Sequence, residues 1–379
     1  MAKRAIFEEV TTTERPATNS GGIDRARRGK RGWVRAWLAL LFGLVVLMVA
    51  VGGMTRLTDS GLSITEWKPL TGAIPPLSEA DWQVEFELYR QIPEYQLQNS
   101  GMTLAEFKVI YWWEWGHRQL GRVIGLVWAA GLLILLAAKA VPPGWTGRLV
   151  LLGALGGLQG AIGWWMVSSG LTGTMLDVAS YRLATHLTLA FVILSLIAWF
   201  LLQLARPASD LLQARRLAEP RLATWGAVLF GLTLWQVVWG ALVAGIDAGL
   251  WVRDWPTMNG GLFPVGMWDL SPWWRNLTEN HGTVQFLHRL FGYILVALAL
   301  YAAWRARRSA HAATRGAFAA VGVMVILQMV LGIVTVLEGV PIQWAILHQF
   351  GAVVLTVLTL RARHRALYPL AQSVRTVRP

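Results

Sequence analysis

Four histidines are the residues of this 379-residue chain whose spacing could support metal chemistry. They fall at corresponding places in two copies of one sequence unit, His117 and His186 in the first and His288 and His348 in the second. Two imidazoles that reach one point from different helices can ligate a haem iron from both sides. A closed zinc site would need a third and a fourth ligand near each pair. The pattern therefore predicts two haem sites.

One carboxylate distinguishes the two copies. Glu114 precedes His117 by three residues, whereas Gln285 holds the same place before His288. Three neighbouring tryptophans predict an apolar setting, which would suit this carboxyl group to proton transfer. The alternative is a carboxylate at a helix N-terminus that interacts favourably with the helix dipole. The difference between the copies favours a catalytic Glu114 and indicates that the two sites have different tasks.

Several arginines are candidates for binding haem propionates, because a guanidinium can contact a carboxylate at two points. Arg118 and Arg289 directly follow two of the histidines, and Arg56 is a third candidate. Arg122 and Arg182 are alternatives. Arg56 could equally pair with Asp59 or Glu66, so its role stays open at this stage.

The composition defines the elements that must position these groups. The chain is 55% hydrophobic and 15% charged, and several apolar runs reach the length of about 20 residues that spans a bilayer. His117 and His288 should open the second and sixth helices, with His186 and His348 near the starts of the fourth and eighth. Eight spans are predicted near 34–55, 118–140, 147–168, 182–205, 222–246, 286–304, 317–338 and 343–361.

Charge orients these spans. Most Lys and Arg lie in alternate loops and in the tails, as the positive-inside rule expects. Both termini are therefore predicted to be cytoplasmic, with the histidines in the outer half of a bacterial inner membrane. The net charge of +13 then reflects topology and not a nucleic-acid partner. The chain has no cysteine, which excludes disulfides, thiolate-bound clusters and covalently attached haem.

The internal repeat predicts the fold. Asp59 and Gly61 recur as Asp247 and Gly249, 188 residues later, and the histidines follow in the same order. We expect an all-α polytopic membrane protein with two tandem four-helix bundles related by a pseudo-twofold along the membrane normal. Gly163 and Gly332 also correspond, either for close helix packing or as room for a flat ligand. The expected organisation is a basic cytoplasmic tail 1–32, a first half 33–205, a cytoplasmic linker 206–221, a second half 222–361 and a tail 362–379.

These motifs resemble the haem A synthase family, in its mitochondrial and alphaproteobacterial branch. The resemblance covers the membrane region from Gly52 to Gln349. Its most specific segments are EWGHRQLGR, which starts at Glu114, and DWPTMNG, which starts at Asp254. Some members carry a cysteine pair in the first external loop. This chain has none there, and its loop carries acidic residues that could serve a partner: Glu79, Asp81, Glu85, Glu87 and Glu94.

The resemblance implies that the C8 methyl of haem O is oxidised to a formyl group by successive hydroxylations, which gives haem A for terminal oxidases. It implies haem b as a cofactor on His288 and His348, and substrate haem O on His117 and His186. Glu114 matches the family's essential carboxylate. A haem O synthase and an electron donor are implied partners besides the lipid bilayer, and homo-oligomerisation stays open.

Rival functions can be stated from the same residues. A di-haem electron-transfer protein, similar to a quinol oxidoreductase, would use both histidine pairs without altering either haem. A transporter with parallel repeats would bind its substrate near the midplane of the membrane, whereas these histidines are expected nearer the outer surface. A haem-binding chaperone is a further alternative.

Overall fold

A computed structural model of the chain describes residues 20–173 and 175–370. Short 3-10 segments lie at Thr71–Ala73, Ala248–Leu250 and Trp273–Leu277, and one isolated bridge joins Met258 and Gly261. All other regular structure in the described residues is α-helical, so the all-α prediction is confirmed. The helices are α1 (Ser20–Leu57), α2 (Glu79–Tyr89), α3 (Pro93–Leu97), α4 (Leu104–Ala137), α5 (Thr146–Val167), α6 (Ser180–Leu204), α7 (Ala208–Arg215), α8 (Pro220–Gly245), α9 (His281–Ala306), α10 (Ala312–Leu337) and α11 (Ile342–Leu367).

Eight helices of the described chain are long and apolar enough to cross a membrane: α1 from Lys30 onward, α4, α5, α6, α8, α9, α10 and α11. The predicted number of spans is confirmed, but the start of the second span was wrong. α4 begins at Leu104 because Thr103 and Glu106 form a capping box there, which satisfies free N–H groups of the first turn. His117 therefore lies well inside α4 and does not open it.

The ends of the chain are more helical than predicted. α1 begins at Ser20 and α11 continues to Leu367, so parts of the segments predicted as tails belong to long helices. Residues 1–19 and 371–379, which hold the rest of those tails, lie outside the described residues.

The spanning helices of each half follow the same order of contacts. α1 packs against α4 and α6, and α5 contacts α4 and α6; in the second half α8 packs against α9 and α11, and α10 contacts both of these. α6 packs on α8 and α11, and α1 contacts α11. Gly245 permits one close approach between the halves, since a Cβ added there would lie 2.8 Å from Cα of Ser180. The pseudo-twofold itself stays a prediction.

The loop between α1 and α4 carries a small aromatic core. We call residues 78–99, which contain α2 and α3, the cap. Its Trp82 ring lies 4.9 Å from Tyr111 of α4, and its Tyr89 ring lies 5.2 Å from Phe107. Burial of these large rings supplies most of the energy available to hold such a short segment in place. The first two turns of α4 are fixed by these contacts and extend the helix beyond its apolar run.

The acidic residues of the cap do not form one surface. Glu79, Asp81 and Glu87 are exposed, but Glu94 is only 3% exposed. Its Oε1 accepts hydrogen bonds from the Tyr89 hydroxyl at 3.3 Å and the Asn99 amide at 3.4 Å. The prediction that Glu94 belongs to an acidic partner-binding loop was wrong, because the aromatic core of the cap encloses this side chain.

Candidate haem sites

His288 of α9 and His348 of α11 face one another. Their ring centroids are 6.3 Å apart and the ring planes are inclined at 78°. Metal–imidazole bonds are about 2 Å long and a ring nitrogen lies about 1 Å from the ring centre, so rings on opposite sides of one metal have centroids about 6 Å apart. The spacing of this pair fits a haem iron between the two rings.

His117 of α4 and His186 of α6 form the corresponding pair of the first half, and their rings are close enough to interact electrostatically. All four histidines are partly exposed although they lie within spanning helices, as expected for rings that border a cleft. Within the described part of the chain, no three His, Cys, Asp or Glu side chains are grouped so that they could hold a metal ion. Two-ligand sites therefore fit these pairs better than closed zinc sites.

Each histidine ring packs against a glycine of the preceding spanning helix. A Cβ added at Gly163 would lie 2.9 Å from Cε1 of His186, which is too close without a shift of the ring. The glycines thus make room for imidazoles, a use that neither sequence interpretation anticipated. The other three pairs, with the distance from the added Cβ, are Gly332 and His348 at 2.9 Å, Gly240 and His288 at 3.2 Å, and Gly52 and His117 at 3.1 Å.

Three of the four histidines also contact a glutamine, which lies one turn before the glycine. Gln159 Nε2 lies 3.2 Å from Nδ1 of His186 and donates to its main-chain carbonyl at 3.0 Å. The other two pairs repeat both contacts, Gln236 with His288 at 3.1 and 2.8 Å, and Gln328 with His348 at 3.3 and 2.7 Å. A spacing of four residues places glutamine and glycine on one helix face. The signal Gln-x-x-x-Gly was therefore present in the sequence, but Gln236 and Gly240 were missed. Gly52, which follows Met48 by four residues and so lacks this signal, was missed as well.

Glu114 is buried at 2% exposure, but its setting is polar and not apolar as predicted. One carboxylate oxygen accepts from the Ser63 hydroxyl at 2.8 Å and the Ile64 N–H at 2.7 Å. The other accepts from Nε and Nη2 of Arg118 at 3.0 and 2.6 Å. Since α4 begins ten residues earlier, at Leu104, Glu114 is not at a helix N-terminus, and the dipole interpretation was wrong.

Gln285 occupies the corresponding place in the second half, where its side chain donates hydrogen bonds to the loop and does not accept them from it. Its Nε2 donates to the carbonyls of Ala248 and Val252 at 3.1 and 3.0 Å, whereas Glu114 accepts at the equivalent loop. Val252 stands 188 residues after Ile64 in the repeat. Corresponding loops are thus hydrogen-bonded to corresponding helix positions in the two halves, but only the first half has a carboxylate at that position.

The three candidate propionate partners differ in how fully they are engaged. Arg118 donates to Glu114 and to the carbonyls of Ile64 and Glu66. Arg56 pairs with Asp59 at 3.1 Å, one of the two partners considered from the sequence, and with Asp247 at 2.8 Å. Glu66, the other partner considered, pairs with Lys68.

Arg289 is the least engaged of the three. It donates to the carbonyls of Thr257 and Val252 and to Gln285 Oε1, at 3.0 to 3.3 Å, and it has no ion pair within the described chain. Of these three arginines, only Arg289 would therefore offer a propionate a guanidinium without an ion pair in the described chain. Arg122 and Arg182, the alternatives, also have no ion pair among the described residues and donate mainly to main-chain carbonyls.

Three further histidines lie away from both pairs. His281 begins α9 and stacks on Trp251 with ring centroids 4.4 Å apart. His311 precedes α10, as expected for a residue outside the sites. His364 is 2% exposed within α11, packed against Trp199 and Tyr368, so it is buried although the sequence placed it in a cytoplasmic tail.

The DWPTMNG segment forms a loop beside Arg289. Asp254 accepts from the Thr257 hydroxyl at 2.6 Å and from the N–H groups of Asn259 and Gly260 at 2.8 and 3.1 Å. These donors lower the pKa of Asp254 to about 2. Asn259 and Gly260 both have positive φ values, so the carboxylate holds a tight turn, which places the Thr257 carbonyl on Arg289.

The chain is similar to known proteins over most of its length. A family model described as cytochrome oxidase assembly protein matches residues 35–360. A protein from Dinoroseobacter shibae named "Heme A synthase" is 66% identical over 98% of both chains. Proteins of the same name from Ruegeria pomeroyi and Paracoccus denitrificans are 60% identical over 99% of both chains and 57% identical over the full length of both.

Proposed function

The chain belongs to the haem A synthase family, and from this membership we propose that it oxidises haem O to haem A. In this reaction the C8 methyl of the porphyrin becomes a formyl group through successive hydroxylations. The observation that carries the proposal is the pair of similar two-histidine sites of which, among the described residues, only one has a buried carboxylate beside it, Glu114. Two equivalent electron-transfer sites would not need that difference.

We assign the second half to a resident haem b, held by His288 and His348. The 6.3 Å separation of the rings supports this assignment, and so does Arg289, whose guanidinium lacks a carboxylate partner in the described structure. A bound haem supplies the one-electron redox chemistry that side chains cannot perform. The protein's task at this site is to hold the two imidazoles at the right distance and to accept the propionate charge.

We assign the first half to the substrate haem O, bound through His117 and His186. Glu114 stands one turn before His117 on α4, and its four hydrogen-bond donors fix the carboxylate in one orientation. A fixed carboxylate can accept or relay a proton beside the methyl group. Arg118 then acts as a positioning residue for Glu114 and not as a propionate partner.

The proposed location is the bacterial inner membrane, with both termini cytoplasmic and both haem sites in the outer half of the bilayer. The eight spanning helices and the alternation of arginine-rich loops support it. The substrate already carries its farnesyl group, so a haem O synthase must act first. An electron donor completes the list of proposed partners.

Haem extraction and chromatographic identification test the proposal. The protein is purified from cells with and without a haem O supply. Haem b in both samples, together with hydroxylated or formyl haem only when haem O is supplied, is the expected result. Two equivalents of haem b that do not change with haem O supply would overturn the proposal in favour of a di-haem electron carrier.

A further inference from the structure

The glutamine that accompanies three of the histidines is missing from the fourth. In the repeat, the position of Gln236 on α8 corresponds to Met48 on α1, 188 residues earlier. The packing agrees: a Cβ added at Gly292 would lie 3.3 Å from Nε2 of Gln236, and one added at the corresponding Gly121 would lie 3.6 Å from Cε of Met48. Met48 therefore occupies the place of a glutamine beside His117.

A thioether cannot replace the amide. Methionine sulfur is a weak acceptor and has no N–H to donate. Within the described chain, no side chain hydrogen-bonds to the His117 ring, whereas His186, His288 and His348 each have a glutamine within 3.3 Å of Nδ1.

The orientation of the ring differs as well. His186, His288 and His348 present Cε1 to their glycines, with Nδ1 as the next nearest ring atom. His117 instead presents Nε2 to Gly52, with Cδ2 next. The ring that lacks a glutamine is thus the one turned differently in its pocket.

Each glutamine fixes its ring relative to the backbone. One Nε2 atom contacts both the Nδ1 atom and the main-chain carbonyl of the same histidine. The imidazole therefore cannot rotate about its side-chain bonds without losing this contact. Outer-shell contacts of this kind orient metal-binding histidines, and their loss generally weakens metal binding.

We propose that Gln159, Gln236 and Gln328 are positioning residues that hold their histidines as axial ligands, and that Met48 makes His117 the ligand that releases its haem. This inference rests on the proposed assignment of the two sites. It adds a physical reason why the substrate site exchanges its haem while the other site retains it. The N-terminal haem would leave by rupture of the His117 bond, with His186 still held by Gln159.

The test measures haem transfer from the purified full-length protein, loaded with haem b and haem O, to an excess of apomyoglobin. The acceptor's haems are identified by chromatography. Met48→Gln is expected to slow haem O transfer about tenfold and to leave haem b transfer unchanged. Gln236→Met is expected to accelerate haem b transfer about tenfold. Met48→Leu, which matches the size of methionine without adding an amide, should leave both rates unchanged.

A spectroscopic readout accompanies the rates. Met48→Gln should alter the low-spin ferric signal of the N-terminal site, because a second-shell hydrogen bond changes the ligand strength of His117. If purified Gln236→Met no longer contains haem b, that loss supports the inference. The haem O transfer rate of Met48→Gln is then the deciding measurement. Wild-type transfer rates in Met48→Gln, with both haems bound, would overturn the inference. Retention of both haems by His117→Ala and His288→Ala would instead overturn the proposed ligation itself.

Discussion

Arg56, near the C-terminal end of α1, lies 2.8 Å from Asp247, which follows α8. This ion pair joins the first half of the chain to the second, and Arg56 also contacts Asp59 at 3.1 Å and Asp177 at 3.9 Å. Its Nη2 donates to the carbonyl of Ala244 at 2.8 Å. One guanidinium therefore compensates three carboxylates where the two halves meet.

Replacement of Arg56 by alanine should destabilise the junction between the halves. We expect a loss of about 1.5–3 kcal/mol, the range for hydrogen bonds to charged groups, measured as thermal unfolding in lipid nanodiscs. Burial raises the pKa of Asp59 and Asp177 in the folded protein, so acid should reduce the loss by neutralising them. Arg216→Ala, on an exposed residue of the α7–α8 connection, is the control. An equal shift in both variants would contradict the interpretation.

The Glu94 carboxyl predicts a pH-dependent stability. Burial raises its pKa to about 8, against 4.5 for an ordinary glutamate, so the folded state favours the protonated form. Its contribution is present below pH 4.5 and is lost as pH rises through 8. Glu94→Gln should therefore stabilise the protein by on the order of 3 kcal/mol at pH 8 and have little effect at pH 5.

Thermal unfolding at pH 5 and pH 8 checks the Glu94 prediction. Glu87→Gln, which removes an exposed carboxylate from the same cap, should show no such difference. A Glu94→Gln variant whose unfolding changes with pH as steeply as wild type would show that this carboxyl is not the group responsible.

Glu114→Gln should abolish most haem O conversion while both haems still bind. The amide cannot accept from the Ile64 N–H and both Arg118 donors at once, and it cannot relay a proton as a carboxylate does. We expect a decrease of at least about 100-fold, within the range for loss of a general acid–base group. Product haems are quantified by chromatography, with Glu66→Gln as an exposed control; full conversion by Glu114→Gln would exclude the assigned role.

Gly332→Ala should displace the His348 ring. The added methyl group would lie 2.9 Å from Cε1 of His348, so either the ring or the helix must move. We expect the resident haem content to fall at least about tenfold, read from the reduced absorption spectrum. Gly316→Ala, on the same helix but with no atom within 4 Å of the added carbon, should retain full haem content.

The two arginines that follow histidines should give opposite phenotypes. Arg289→Ala is expected to weaken haem b binding about tenfold, because it removes the guanidinium available to a propionate. Arg118→Ala should leave haem b content unchanged and reduce turnover, because Glu114 loses two donors. Haem titration and single-turnover conversion separate these effects, and loss of haem b in both variants would refute the distinction.

The candidate ligands could be proposed from the sequence because duplication marks them. His117 and His288 recur with their neighbours in one order, and no knowledge of packing is needed to pair them. The start of α4 was missed because an apolar run reveals only the lipid-facing part of a helix. The turns before it are amphipathic, and they are fixed by Thr103 and by the cap.

Other features depend on contacts between elements that are distant in sequence. Glu94 has the composition of an exposed acidic helix, and only the packing of the cap buries it. The roles of Gln236 and Met48 can be inferred only when α8 and α1 are known to pack against the helices that carry His288 and His117. Neither residue lies within the repeated motifs that contain the histidines.

The recurrence of glutamine, glycine and histidine on successive helices has a consequence for protein design. Each spanning-helix pair contributes one histidine, which packs against the preceding helix of the same pair. In the proposed ligation, each haem would take one histidine from each of two pairs. The minimal haem-binding unit would then be two copies of a single hairpin, such as α10 and α11. Two identical hairpins assembled as a symmetric dimer would bind haem through two histidines with half as many spanning helices. How tightly the dimer retains haem could be changed by substituting the glutamine position of each hairpin.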